Sequence, residues 1–111
     1  MRFYLHAKIH KATVTEANLS YTGSITIDQE LLDYTGLQYG EKVLVVSSTN
    51  GARLETYIIP GKKGVICING AAAHLIKKDH EVIIMGFELS DKPIEAKAVL
   101  VDQNNNFVKY L

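Results

Sequence analysis

Two adjacent residues, Gly23 and Ser24, place a hydroxyl nucleophile directly after the most flexible residue type, within Tyr21-Thr22-Gly23-Ser24-Ile25-Thr26-Ile27. A serine Oγ in that position can attack the carbonyl of Gly23 and turn the amide into an ester. Elimination from the ester cuts the chain and leaves a dehydroalanine, which water converts to a ketone at residue 24. The reaction needs a backbone bent enough to bring hydroxyl to carbonyl, and glycine tolerates such dihedrals. Alone, a Gly-Ser pair is ordinary turn composition. It stands here with Lys8-Ile9-His10 upstream, Arg53-Leu54-Glu55-Thr56-Tyr57 in the middle and Asn69-Gly70-Ala71-Ala72-Ala73 beyond.

Each block offers a chemistry and a plainer alternative. Arg53 carries a planar fork suited to a carboxylate, and Lys8 a compact second charge, although most such residues are simply exposed. Tyr57, with an unperturbed pKa of about 10, stays protonated at neutral pH and can act as an acid, or it is a half-buried strand aromatic. At a helix start, the N–H groups of Gly70, Ala71 and Ala72 make an anion site, and small side chains admit a ligand to the backbone. The alternative is a well-capped Ala-rich helix. Cys67 lies in an apolar run and reads as a buried, inert thiol. His6, His74 and His80 share no metal-ligand spacing, so no metal is expected.

The elements that must position these groups are mostly short strands. Arg2 to Thr15 reads as a strand with a break near His10, with Tyr4, Lys8 and His10 on one parity and Leu5 and Ile9 on the other. Glu16 to Leu19 reads as a turn, and Ser24 to Ile27 as a strand. Asp28 can cap a helix through Tyr34 that Gly36 ends. Strands are expected over Lys42–Ser48 and, after the Asn50-Gly51 turn, over Arg53–Ile59. Further strands are expected over Val65–Ile68, Glu81–Glu88, Lys97–Val101 and Phe107–Tyr110, and a helix from Asn69 to about Lys78. Gly40-Glu41-Lys42-Val43-Leu44-Val45-Val46 is echoed by Asp79-His80-Glu81-Val82-Ile83-Ile84-Met85. Such a pattern suggests a small barrel with pseudo-two-fold symmetry.

Composition narrows the class. At 111 residues there is room for one domain. Apolar residues make up 47% and charged residues 22%, and twelve basic residues balance twelve acidic ones. That composition is globular, and the neutral balance gives no electrostatic case for a nucleic-acid partner. One cysteine excludes an intrachain disulfide. No stretch approaches the roughly 20 apolar residues of a membrane span, and Arg2 to His6 is too short and polar for a signal-peptide core. The expectation is a soluble, cytoplasmic protein.

The four blocks, in this order and in so short a chain, resemble the aspartate 1-decarboxylase family of self-processing pyruvoyl enzymes. The resemblance covers most of residues 1 to 102. It implies a mainly β fold, a six-stranded double-psi β barrel with short helices. It also implies cleavage between Gly23 and Ser24 into chains 1–23 and 24–111, with a pyruvoyl group formed from Ser24 as the cofactor and neither metal nor pyridoxal phosphate. The substrate would be L-aspartate, whose amine condenses with the ketone. The product would be β-alanine, for pantothenate and coenzyme A synthesis.

By the same resemblance, Tyr57 returns a proton to the carbanion, and Lys8, Arg53, Thr56, Gly70, Ala71 and Ala72 bind substrate. His10, Tyr21 and Asn69 support the pocket. A homotetramer with active sites between subunits is implied, without nucleic-acid or membrane partners. The chain departs from the family pattern at Val46, where many members carry tryptophan, in the short Pro60–Gly64 turn, and at Asp79-His80-Glu81-Val82. Two rivals stay open: a non-catalytic barrel serving as an interaction module, and a pyruvoyl decarboxylase of another acidic amino acid.

Overall fold

The computed structural model describes Met1–Leu111. Its nine strands are β1 (Arg2–Thr13), β2 (Glu16–Asn18), β3 (Ser24–Asp28), β4 (Lys42–Ser47), β5 (Arg53–Gly61), β6 (Ile66–Asn69), β7 (Glu81–Ser90), β8 (Lys97–Val101) and β9 (Phe107–Tyr110). The α1 helix (Gln29–Thr35) and a 3₁₀ helix (Gly70–His74) complete the chain. The mainly β expectation holds. Alternation accounts for it: along β4 the burial switches residue by residue, with Val43, Val45 and Ser47 buried, as a pleat with one face on the core requires.

Local signals set most boundaries. Asp28 caps α1 by accepting from the Glu30 N–H at 2.8 Å, and its other carboxylate oxygen accepts from the Gly64 N–H at 2.7 Å. Gly36 ends the helix in the left-handed region, its N–H bonded to the Leu32 carbonyl. The break expected near His10 is a bulge between Ile9 and Ala12, with Lys11 at φ 65°.

The strands join in the order β2-β6-β3-β5-β4-β7-β1-β8-β9. The six strands β6 to β1 form the centre of this order. The count exceeds six because three short strands flank them, β2 on β6, and β8 then β9 on β1. Just beyond the end of β1 the chain reaches β6. Thr15 donates its N–H to the Ile66 carbonyl at 2.8 Å and its hydroxyl accepts from the Ile66 N–H at 3.0 Å. Glu16–Asn18, expected as a turn, is a strand for the same reason: it runs parallel to Cys67–Asn69. Tertiary pairing outweighs a weak local preference there.

The sequence echo has a structural counterpart. β4 and β7 are antiparallel, and Val45, the counterpart of Ile84 in the echo, pairs directly with Ile84. The flanking pairs Leu44–Met85 and Val46–Ile83 exchange under the same rotation, so a local two-fold axis passes through Val45 and Ile84. Gly40 and Asp79, at matching positions before the two strands, both have positive φ.

Between the strands lies a core of 20 buried apolar residues. Ile9, Ile25, Ile58, Ile66, Ile68 and Ile84 are fully enclosed, each contributing about 1.5–3 kcal/mol by transfer from water. The helix expected from Asn69 to Lys78 is only the five-residue 3₁₀ helix. Asn69 stands at the N-cap position but makes no side-chain capping bond, because its amide is held elsewhere, while Gly70 turns left-handed at φ 76°.

Candidate active site

The site is built where β3 starts and β6 ends. These strands are antiparallel, with Ser24 opposite Asn69 and Thr26 opposite Cys67. Ile25, Ile27, Ile66 and Ile68 face the core, so the alternate residues Ser24, Thr26, Cys67 and Asn69 share the other face. That face is covered at this corner: Ser24 is 1% exposed and Asn69 3% exposed.

A polar network fills it. The Asn69 side-chain nitrogen Nδ2 donates to Ser24 Oγ at 2.9 Å and to Thr26 Oγ1 at 3.0 Å. Ser24 Oγ donates to the Thr22 carbonyl at 3.1 Å. Cys67 Sγ lies 3.1 Å from Asn69 Oδ1 and 3.3 Å from Glu16 Oε2. Burial pushes the Cys67 thiol up to about 11, and its hydrogen bond to the Glu16 carboxylate acts in the same direction.

The backbone beside Ser24 is shaped by a different glycine from the one expected. Gly23 lies outside the left-handed region, and a Cβ added there would meet nothing within 4 Å. Gly70 carries the constraint. A Cβ on Gly70 would stand 2.7 Å from Gly23 Cα, 2.9 Å from Gly23 N and 3.3 Å from the Tyr21 carbonyl oxygen. Tyr21, Gly23, Ser24, Asn69 and Gly70 therefore form one corner.

Tyr57 belongs to it through strand register. β3 and β5 are parallel, beginning with Ile25 beside Ile58, so Tyr57 precedes that pair as Ser24 does, on the same face of the pleat. Tyr57 is 39% exposed. Its neighbour Thr56 takes the opposite side of the strand. The remaining expected residues stand farther away. Arg53 is four residues from Tyr57 along β5, about 13 Å. Lys8 is in register with Met85, Leu44 and Glu55 in turn, so it lies three strands from β5. His10 is on β1 beside Leu100, its Nδ1 buried without a hydrogen-bond partner. Ala71 and Ala72 follow Gly70 in the 3₁₀ helix.

A concavity of about 820 Å³ lies away from Ser24. It is an open groove that includes Phe3, Lys42, Leu44, Arg53, Leu54 and Phe87. Val46, the position at which the sequence departs from the family pattern, sits directly opposite Arg53 on the adjacent strand. Thr26, Cys67 and Glu16 were missed from sequence. For Thr26 and Cys67 the signal was available, since each is two residues from an expected site residue and so shares its face. No group of three His, Cys, Asp or Glu side chains converges.

Comparison with known proteins identifies the family. The family model for aspartate decarboxylase matches residues 1–108. A Desulfitobacterium hafniense protein named aspartate 1-decarboxylase is 52% identical, covering 97% of this chain and 90% of its own length. The Neisseria meningitidis protein of that name is 56% identical over 94% of this chain and 87% of its own. The Bacillus subtilis one is 54% identical over 93% and 87%. Matches of that extent, on a small mainly β domain, make the chain an enzyme of the decarboxylase class. Within that class, it belongs to the aspartate decarboxylase family.

Proposed function

We propose that the chain cleaves itself between Gly23 and Ser24 and then decarboxylates L-aspartate to β-alanine and carbon dioxide. The observation that carries the reading is the buried Ser24 hydroxyl, held between the Asn69 amide and the Thr22 carbonyl. Ser24 Oγ adds to the Gly23 carbonyl. The Ser24 nitrogen leaves with the hydroxyl proton, and an ester joins the two residues. Loss of the Ser24 Cα proton then expels the Gly23 carboxylate, which separates residues 1–23 from 24–111. One water replaces ammonia at residue 24 and leaves the ketone of a pyruvoyl group. The N–H of Asn69 holds the Ser24 oxygen in place and stabilises it as its proton leaves. The site suits that group, because residue 24 is enclosed and the Asn69 amide stands beside its side chain.

The pyruvoyl group supplies the electron sink that decarboxylation requires. This chain's own residues do the rest. Tyr57, protonated at neutral pH, returns a proton to the substrate carbon. Arg53 and Lys8 match the two carboxylates of aspartate, and the N–H groups of Gly70 to Ala72 line the approach, with Thr56, Tyr21 and His10 as supporting groups. Within one chain Lys8 lies strands away from Ser24, and Arg53 stands about 13 Å along β5 from Tyr57, so the reading requires a second subunit to complete the pocket. A homotetramer fits the exposed apolar residues Phe3, Phe87 and Leu89 on the same side of the sheet. No helix is long and apolar enough to cross a membrane, in keeping with a cytoplasmic enzyme supplying β-alanine for pantothenate and coenzyme A.

A second reading keeps the chemistry and changes the substrate. Val46 opposite Arg53 leaves more room than tryptophan would, and one methylene is discriminated by only about 1–3 kcal/mol. The test is carbon dioxide release from aspartate against glutamate. Aspartate is expected to be preferred, and a preference for glutamate would replace this substrate assignment.

A further inference from the structure

Exposure changes abruptly at the scissile bond. Tyr21, Thr22 and Gly23 are exposed, whereas Ser24 is 1% exposed. A substrate amine must nevertheless reach the backbone carbon of residue 24, so part of this corner has to move. The segment before the bond is the loosest part. β2 ends at Asn18, whose pairing with Asn69 is the last strand contact before the cut. None of the backbone hydrogen bonds outside the helices and strands reaches Leu19 to Gly23. Such weakly bonded, exposed stretches open locally at little cost. Five residues extend to about 17 Å, enough to leave the corner.

Four ties hold the segment. The Ser20 N–H donates to Asn18 Oδ1 at 3.0 Å. The backbone of Gly23 and the Tyr21 carbonyl rest against Gly70. Ser24 Oγ donates to the Thr22 carbonyl at 3.1 Å, which sets that carbonyl over the hydroxyl. The fourth tie is the Gly23–Ser24 peptide bond itself. Self-cleavage removes the last two together. Oγ departs from residue 24 as one oxygen of the new Gly23 carboxylate, and Cβ becomes a methyl group with nothing to donate. The Asn18 turn lies at the far end, so only the contact with Gly70 still restrains the free end. A carboxylate there gains by moving into water. Left beside residue 24, it would repel the carboxylates of aspartate.

We propose that Leu19–Gly23 is a strap over residue 24 that self-cleavage releases, so that the reaction making the ketone also opens it to the substrate amine. The inference rests on the self-cleavage reading above and adds the control of access to the same site.

The chain contains no tryptophan, and Thr22 is exposed and bonded only through its carbonyl. Thr22→Trp therefore places a single fluorescent reporter on the strap. Its anisotropy is followed while intact mass records the cut, with Thr22→Trp/Ser24→Ala as the uncut reference. Anisotropy is expected to fall as the two masses appear, by about twofold at completion, as a free end moving in nanoseconds requires. The uncut reference should stay high. In cleaved protein without the tryptophan, methoxyamine should form an oxime on native 24–111 within about tenfold of its rate on the denatured chain. Cleaved Thr22→Trp protein as rigid as the uncut reference, or a ketone that reacts only after denaturation, overturns the strap and leaves the self-cleavage reading intact. A wild-type chain that never cleaves overturns both.

Discussion

Gly70 presses its Cα against the backbone of Gly23, at a separation that leaves no room for a side chain on Gly70. The contact joins the end of β6 to the peptide before Ser24 and holds that peptide from outside the sheet. Gly70→Ala must adopt φ near 76° with a methyl group directed into Gly23, a strain of about 1–3 kcal/mol. The expected precursor is less stable and cleaves slowly. Gly23→Ala, which meets nothing within 4 Å, should keep the wild-type unfolding midpoint. Wild-type cleavage in Gly70→Ala would remove any role for the contact.

Asn69 offers a sharper substitution. Asn69→Ala withdraws the donor shared by two hydroxyls, and chemical denaturation should show a loss of about 1–3 kcal/mol. Asn69→Asp keeps the shape but turns an acceptor toward Ser24. Its cleavage rate, followed by denaturing gel, should fall below that of the alanine variant.

Tyr57 should separate maturation from turnover. Tyr57→Phe keeps the ring and removes the proton. Two pieces should form as in wild type, while β-alanine release from aspartate should drop by about 10²–10⁴-fold. An unchanged turnover would move the acid role to another group.

Far from the site, Asn105 is a fastening point. It is 1% exposed, accepts from the Thr13 N–H at 2.8 Å and donates to the carbonyls of Thr13 and Gly64 at 2.9 Å each. It thereby ties the end of β1 and the Lys62–Gly64 turn to the β8–β9 turn. Asn105→Ala should lower stability by about 2–3 kcal/mol in a denaturant titration. Cleavage at low temperature should continue at the wild-type rate.

These residues also mark what could be read from sequence. Asp28 and Gly36 announced α1, and Asn50-Gly51 announced its hairpin, because each acts through bonds to its near neighbours. Lys97–Val101 and Phe107–Tyr110 were legible from β-branched and aromatic runs between turn residues. Glu16–Asn18 was not, since its only reason to be a strand is Cys67–Asn69, some fifty residues away. The helix after Asn69 was overextended for the same kind of reason. An asparagine before glycine and alanines reads as a cap, yet its amide is claimed by Ser24 across the sheet. The glycine tolerating the tight geometry was placed at Gly23, when the contact that demands it belongs to Gly70. Residue types pointed to one corner, and only register could say which atoms face one another within it.

The central claim is that Ser24 breaks its own peptide bond, and intact mass tests it most directly. Purified wild-type protein should give two masses, for residues 1–23 and for 24–111 with residue 24 as a ketone. Together they should differ from the precursor by one water gained and one ammonia lost. Ser24→Ala should give a single full-length mass. A full-length wild-type chain that nevertheless releases β-alanine from aspartate would contradict the account.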